Sequence, residues 1–134
     1  MTLLLDASVW LALALPEEPH AEAAEALFDS THPTIALELT LLEVANVLGS
    51  RIGAPERAHQ LAGAIAKRCS NRLLPVDLDL LSATLAAAAE HGLTAYDAAY
   101  VAAARRHGWQ LVSIDHRDLV SKGLAVTPDA ALYP

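Results

Sequence analysis

The chain has 134 residues, 54% of them apolar and 19% charged, with 9 Lys or Arg against 16 Asp or Glu for a formal charge of −7. A chain of this length is expected to form one domain over residues 1–134 and can bury roughly two-thirds of its unfolded surface, and its balance of apolar over charged residues excludes a disordered chain. The negative charge gives no basic footprint for sequence-independent binding to nucleic acid, so a phosphate-bearing substrate would need cationic help.

Taken in order, the run from Thr2 to Leu5, closed by Asp6, predicts a strand buried on both faces. A short helix from Ala7 to about Leu15 follows, stopped by Pro16, and a second spans Pro19 to about Ser30, where Ala21, Ala24, Leu27 and Phe28 keep helical spacing. Pro33 to Leu37 is a short strand candidate. Thr40 to Ile52 is expected to be helical, ended by Gly53 and Pro55. Pro55 begins the next helix, whose stripe is Ala58, Leu61, Ala62 and Ile65.

Arg72 to Val76 predicts a brief strand. Asp77 caps a helix carrying Leu78, Leu81 and Leu85 that stops at Gly92, and Thr94 caps another that stops at Gly108. Gln110 to Ile114 is a strong strand, Asp115 to Gly123 a turn or short helix, and Leu124 to Thr127 a last strand before a tail ending at Pro134. Strands separated by helices predict an α/β domain with a mostly parallel sheet.

Cys69 is the single cysteine, which excludes an intramolecular disulfide and a cysteine-based zinc site and points to the cytoplasm. The opening MTLLLDASVW lacks the basic segment and small-residue cleavage site of a signal peptide. The longest weakly charged stretch, Leu93 to Ala104, is about half of a membrane span and carries Asp97, so no membrane association is expected. The apolar surplus predicts an exposed apolar patch, hence a dimer face or a partner surface.

Four acids stand where a carboxylate is costly unless something binds it: Asp6, Glu43, Asp97 and Asp115. Asp6 closes TLLL and Asp115 closes QLVSI, so both fall at the carboxyl ends of strands, the rim where open α/β sheets place ligands. Glu43 is the odd polar residue on an apolar helix face, between Leu39 and Val47, with Asn46 one turn on. Asp97 is the one charge in LTAYDAAYVAAA, with Tyr100 and Val101 as its helical neighbours.

Local structure offers some of these acids another occupation. Asp97 completes a capping box with Thr94, Asp115 can cap a turn containing Asp118, and Asp6 can cap the helix after it. Glu43 has no such occupation. If the four converge, they demand a cation, because two carboxylates about 4 Å apart repel by roughly 4 kcal/mol even at an effective dielectric of 20. An all-oxygen donor set suits Mg²⁺ or Mn²⁺ rather than zinc, and the six histidines form no H-x-x-x-H pair. Hard cations held by carboxylates chiefly handle phosphates, which makes hydrolysis of a nucleic-acid backbone the leading reaction class.

The segments LLLDAS, LLEVANVL, LTAYDAAYVAAA and LVSIDHRDL, in that order, resemble PIN-domain ribonucleases, most closely the VapC-type toxins of type II toxin–antitoxin pairs. The likeness runs from Leu3 to about Val126. It implies a three-layer α/β/α sandwich with a central, mostly parallel sheet, and Mg²⁺- or Mn²⁺-dependent endonucleolytic cleavage of RNA in which water attacks phosphorus. By motif, Asp6, Glu43, Asp97 and Asp115 correspond to the metal-binding catalytic acids and Ser8 to the hydroxyl that supports the first. Ser113 stands before the last acid, Asn46 matches a polar residue that bonds the glutamate, and Asp118 is a substitute or supporting acid. Arg117, Lys122 and Arg51 are the cations expected to meet RNA. The resemblance further implies a homodimer neutralised by a small antitoxin protein.

Rival readings fit less of the chain. A phosphoacceptor receiver domain needs an acid beside Asp6, where Ala7 stands, and a haloacid-dehalogenase phosphatase needs one at Ser8. A non-catalytic PIN-like module that binds a protein partner through its apolar face remains as the alternative, disfavoured because all four acids are present.

Overall fold

A computed structural model of the chain describes residues 1–70 and 72–133. Strand β1 (Leu3–Leu5) leads into α1 (Ala7–Ala12) and α2 (Ala21–Asp29), then β2 (Thr34–Leu37), α3 (Glu38–Val44) and α4 (Pro55–Arg68). Strand β3 (Leu73–Leu74), α5 (Leu78–His91), α6 (Ala95–His107), β4 (Gln110–Val112) and α7 (Pro128–Leu132) complete the order. The strands form one parallel sheet in the order β3-β2-β1-β4, with Leu5 opposite Val112.

Alternation along β1 builds the three layers. Leu3 and Leu5 face a core with Trp10, Leu27, Val44, Leu48 and Ile65, from α1 to α4, whereas Leu4 faces a second core with Leu80, Ala103 and Leu111, against α5 and α6. Because helices cover both faces, β1 reads as an unbroken apolar run, and β2 and β4 carry a polar residue only at their first positions, Thr34 and Gln110. No helix among the described residues is long and apolar enough to cross a membrane.

Helix boundaries follow their caps. The Asp77 carboxylate accepts from the Leu80 N–H and Gly92 closes α5 in the left-handed region at φ 65°, while the Thr94 hydroxyl accepts from the Asp97 N–H and Gly108 closes α6. Other expectations are corrected. The helix expected over Thr40 to Ile52 begins at Glu38 and changes at Ala45 to π-helical winding as far as Arg51. The strand expected over Arg72 to Val76 shrinks to two residues, and that over Leu124 to Thr127 to a single bridge between Val126 and Val112. The expected tail is helix α7, capped by Thr127 with Pro128 in its first turn; Pro134 lies outside the described residues.

Helix α5 also faces the other way from its leucine stripe. Leu80, Thr84 and Ala87 are buried, while Leu78, Leu81 and Leu85 are 80%, 39% and 58% exposed. This is the apolar patch the composition predicts.

Candidate active site

The order β3-β2-β1-β4 reverses direction between β1 and β4, and the crevice beyond the carboxyl ends of such neighbours is where open α/β sheets bind ligands. Asp6 leaves β1 there and Ser113 leaves β4 beside it, because Leu5 pairs with Val112 and the Asp6 N–H donates to the Val112 carbonyl at 3.1 Å.

Asp6 is 5% exposed and hydrogen-bonded through both of its carboxylate oxygens. Its Oδ1 accepts from the Ser8 N–H at 3.0 Å, from the Ser8 hydroxyl at 2.5 Å and from the Val9 N–H at 3.4 Å; its Oδ2 accepts from the Ser113 hydroxyl at 2.5 Å. Each serine is fixed in turn, Ser8 Oγ by the Ile114 N–H and Ser113 Oγ by the Asp115 N–H, both at 3.0 Å. Asp6 therefore caps α1 and also anchors the serine pair. Burial pushes its carboxyl up to about 6, against the hydroxyls and backbone N–H groups that favour the ion, with Glu43 adding repulsion.

Glu43 projects from α3, half-buried, and its Oε1 accepts from the Tyr100 hydroxyl at 2.7 Å. The Tyr100 hydroxyl also lies 2.7 Å from Thr40 Oγ1. Neither Thr40 nor Tyr100 stands among the residues that the sequence picks out for the site. The signal is the T-x-x-E spacing on α3 and the D-x-x-Y spacing on α6, each placing two residues on one helix face. Asn46 lines the same cleft, exposed, but the hydrogen bond to Glu43 expected from it comes from Tyr100 instead. Burial raises the Glu43 carboxyl above its usual range; the bond from Tyr100 opposes this and Asp97 adds to it.

Asp97, in the first turn of α6, meets Asp115 and Asp118 from the far side. One carboxylate oxygen from each of the three lies within 4.8 Å of the others. Asp115 also caps the turn His116–Val120 by accepting from the Asp118 N–H at 3.0 Å. Asp97 is raised by burial first and then by Asp115 and Asp118, and lowered by Lys122 and the Thr94 hydroxyl. Mutual repulsion thus runs unbroken from Asp6 through Glu43 and Asp97 to Asp115 and Asp118. The structure brings Asp97, Asp115 and Asp118 within reach of one another and sets Glu43 on the wall of the same cleft, while Asp6 lies buried at the end of β1 and is not among the residues lining that cleft.

The cleft over these acids has a volume of about 850 Å³ and is lined by Glu43, Asn46, Arg51, Tyr96, Asp97 and Asp115, with Leu42 and its neighbours on α3. Of the three cations expected to meet RNA, Arg51 lines the cleft, Arg117 is exposed on the adjoining turn, and exposed Lys122 donates to the His91 carbonyl at 2.8 Å.

The donor set fits a hard divalent cation. The close oxygens belong to carboxylates, and among the described residues none of Asp6, Glu43, Asp97, Asp115 and Asp118 forms an ion pair within 4.0 Å. With Lys122 acting on Asp97 only from beyond ion-pair distance, such a cluster of acids calls for an external positive charge.

The family model for the PIN domain matches residues 3–122. The chain is 35% identical over 133 residues to Ribonuclease VapC3 of Pyrobaculum aerophilum, an alignment covering 96% of this chain and 100% of that one. Its structure superposes on VapC20 of Mycobacterium tuberculosis, a toxin that cleaves the sarcin-ricin loop, with a TM-score of 0.72 and 26% identity over 90% of this chain and 95% of that one. At 10% identity the fold alone is shared with VapBC2 of Rickettsia felis bound to a promoter DNA fragment, with a TM-score of 0.70 over 95% and 97% of the two chains. The chain belongs to the PIN-domain family, as a VapC-type member.

Proposed function

We propose that the chain is an endoribonuclease that hydrolyses RNA phosphodiester bonds with Mg²⁺ or Mn²⁺, and that it is the toxin of a VapBC-type pair acting in the cytoplasm. The observation that supports this reading is the meeting of Asp97, Asp115 and Asp118 oxygens beside a cleft that Glu43 also lines, with Asp6 held at the end of the neighbouring strand β1. The ribonuclease activity named for its relative from Pyrobaculum and the RNA-cleaving activity named for the mycobacterial toxin support the substrate.

In this reading Glu43, Asp97 and Asp115 hold the ion. Asp118 is the further acid within reach. Asp6 Oδ2, with one serine on it, keeps an acceptor position, and Ser8 and Ser113 fix its carboxylate against rotation. A bound divalent ion supplies positive charge against a phosphodiester and lowers the pKa of a water, which is the chemistry needed for attack at phosphorus without use of the ribose 2′-hydroxyl. Arg51, at the cleft wall, binds an adjacent backbone phosphate, with Arg117 and Lys122 extending the path. Acids below and cations at the rim orient the strand across the cleft.

The antitoxin fits the same chemistry: a small protein with a basic segment would satisfy the acidic cleft of a chain carrying −7. The exposed stripe Leu78, Leu81 and Leu85 on α5 favours a second copy of the chain as its cover, giving a homodimer. The test is incubation of purified protein with RNA under Mg²⁺, Mn²⁺ and EDTA, beside Asp6→Asn and Asp97→Asn. Cleavage that requires metal and both carboxylates supports the reading; cleavage indifferent to chelator and to both changes refutes it. Absence of cleavage in every condition favours the protein-binding module.

A further inference from the structure

We propose that Tyr100, backed by Thr40, is a positioning residue that holds the Glu43 carboxylate in the one orientation from which it binds the metal ion; the proposal rests on the metal-dependent reading above. Tyr100 is 1% exposed and Thr40 is 0% exposed, so both hydroxyls are withdrawn from water. A phenol has one proton. With that proton on Glu43 Oε1 at 2.7 Å, the 2.7 Å contact between Tyr100 and Thr40 must run from the threonine hydroxyl to the phenol oxygen. The relay therefore has a fixed direction, Thr40 to Tyr100 to Glu43, and it leaves Oε2 as the oxygen free for an ion.

The placement ties two ligand-bearing helices together. Thr40 and Glu43 lie one turn apart on α3, and Asp97 and Tyr100 one turn apart on α6. Helix α3 packs through Val44 into the first core and α6 through Ala103 into the second, so the relay spans the two helical layers beyond the strand ends. It sets the separation of Glu43 from Asp97 by a hydrogen bond instead of leaving it to a glutamate side chain free to rotate. Packing alone does not require it. Replacing a buried hydroxyl pair by apolar groups of the same shape is nearly neutral for stability, so phenylalanine and valine at these positions would serve a merely structural purpose as well.

The experiment titrates Mn²⁺ into metal-free protein by calorimetry for the wild type, Tyr100→Phe, the pair Thr40→Val with Tyr100→Phe, Glu43→Gln, and Glu43→Gln with Tyr100→Phe. The expected result is a loss of Mn²⁺ affinity on the order of 10-fold or more in the first two variants. The paired variant should melt no lower than Tyr100→Phe in the metal-free state, because it leaves no buried hydroxyl unpaired, and Tyr100→Phe should cost little further affinity once Glu43 is already changed. Tyr100→Phe binding as tightly as wild type, or losing as much without Glu43, overturns the proposal while leaving the nuclease reading intact. Wild type that binds no Mn²⁺ brings down that reading and the proposal with it. If Tyr100→Phe alone unfolds, the paired variant decides the question.

Discussion

Ser113 and Asp6 are 107 residues apart in the chain, yet the serine hydroxyl donates to Asp6 Oδ2 at 2.5 Å. Parallel pairing of β1 with β4, in the register that sets Leu5 opposite Val112, delivers both residues to the same level of the sheet edge. A second hydroxyl, Ser8, takes the other oxygen, so Asp6 is immobilised between two strand exits.

Ser113→Ala removes the bond to Asp6 and the acceptor for the Asp115 N–H together. Loss of a hydrogen bond to a charged group with a buried partner left behind costs about 1.5 to 3 kcal/mol. Urea denaturation should register a loss of that size, and RNA cleavage should fall on the order of 10-fold or more as Asp6 and Asp115 lose their alignment. Wild-type stability and rate would contradict the anchoring role.

The metal-free protein should become less stable as pH rises from 4 to 7. The Asp6 carboxyl titrates at about 6 in the folded chain against 3.8 normally, so the folded state holds its proton more tightly than the unfolded one. That contribution is complete below about pH 4 and is lost through pH 6, amounting to about 3 kcal/mol at about 1.4 kcal/mol per unit. Glu43 and Asp97 are raised as well and act in the same direction. Melting curves in EDTA should show a steeper decline with rising pH for wild type than for Asp6→Asn; parallel curves would contradict the raised titration of the buried Asp6 carboxyl.

Millimolar Mg²⁺ or Mn²⁺ at pH 7 should raise the melting temperature, because binding to the folded state stabilises it by mass action. Saturation at one hundred times the dissociation constant gives about 2.7 kcal/mol. Asp97→Asn should shrink the shift, since Asp97 lies beside Asp115 and Asp118 and lines the same cleft as Glu43. Equal shifts in wild type and variant would place the ion elsewhere.

Arg51→Ala should weaken RNA binding more than Arg117→Ala, because Arg51 lines the cleft and Arg117 stands exposed on the turn beside it. The salt dependence of binding should lose about one phosphate contact, with little change in the cleavage rate at saturating RNA. Fluorescence anisotropy across a salt series with an Asp97→Asn background would measure this without cleavage; an unchanged slope would remove Arg51 from the RNA path.

Much of this was legible in the residues because it depends on local rules. Caps at Asp77 and Thr94 and left-handed glycines at Gly92 and Gly108 bound two helices within a residue of expectation. The four acids stood out because an acid closing an apolar strand, or set on an apolar helix face, needs a reason. What escaped depends on longer-range geometry. Seven residues of pattern cannot distinguish an i−4 from an i−5 ladder, so the π-helical stretch Ala45–Arg51 was hidden within an expected α-helix. Leu78, Leu81 and Leu85 keep helical spacing as well as a buried stripe does, and only the packing of α5 shows that they face outward. The Thr127-Pro128 start of α7 was readable, but five residues give no periodicity to support it. Tyr100 looked like a neighbour of Asp97 and proved to be the partner of Glu43, 57 residues away.

A divalent cation seated among the carboxylates beyond the carboxyl ends of β1 and β4 is visible by anomalous diffraction from crystals grown with Mn²⁺. The peak should be bounded by carboxylate oxygens of Asp97, Asp115 and Glu43 and be absent from Asp97→Asn crystals grown alike; a cleft empty of anomalous signal at saturating Mn²⁺, with or without a peak elsewhere, would rule the cation site out.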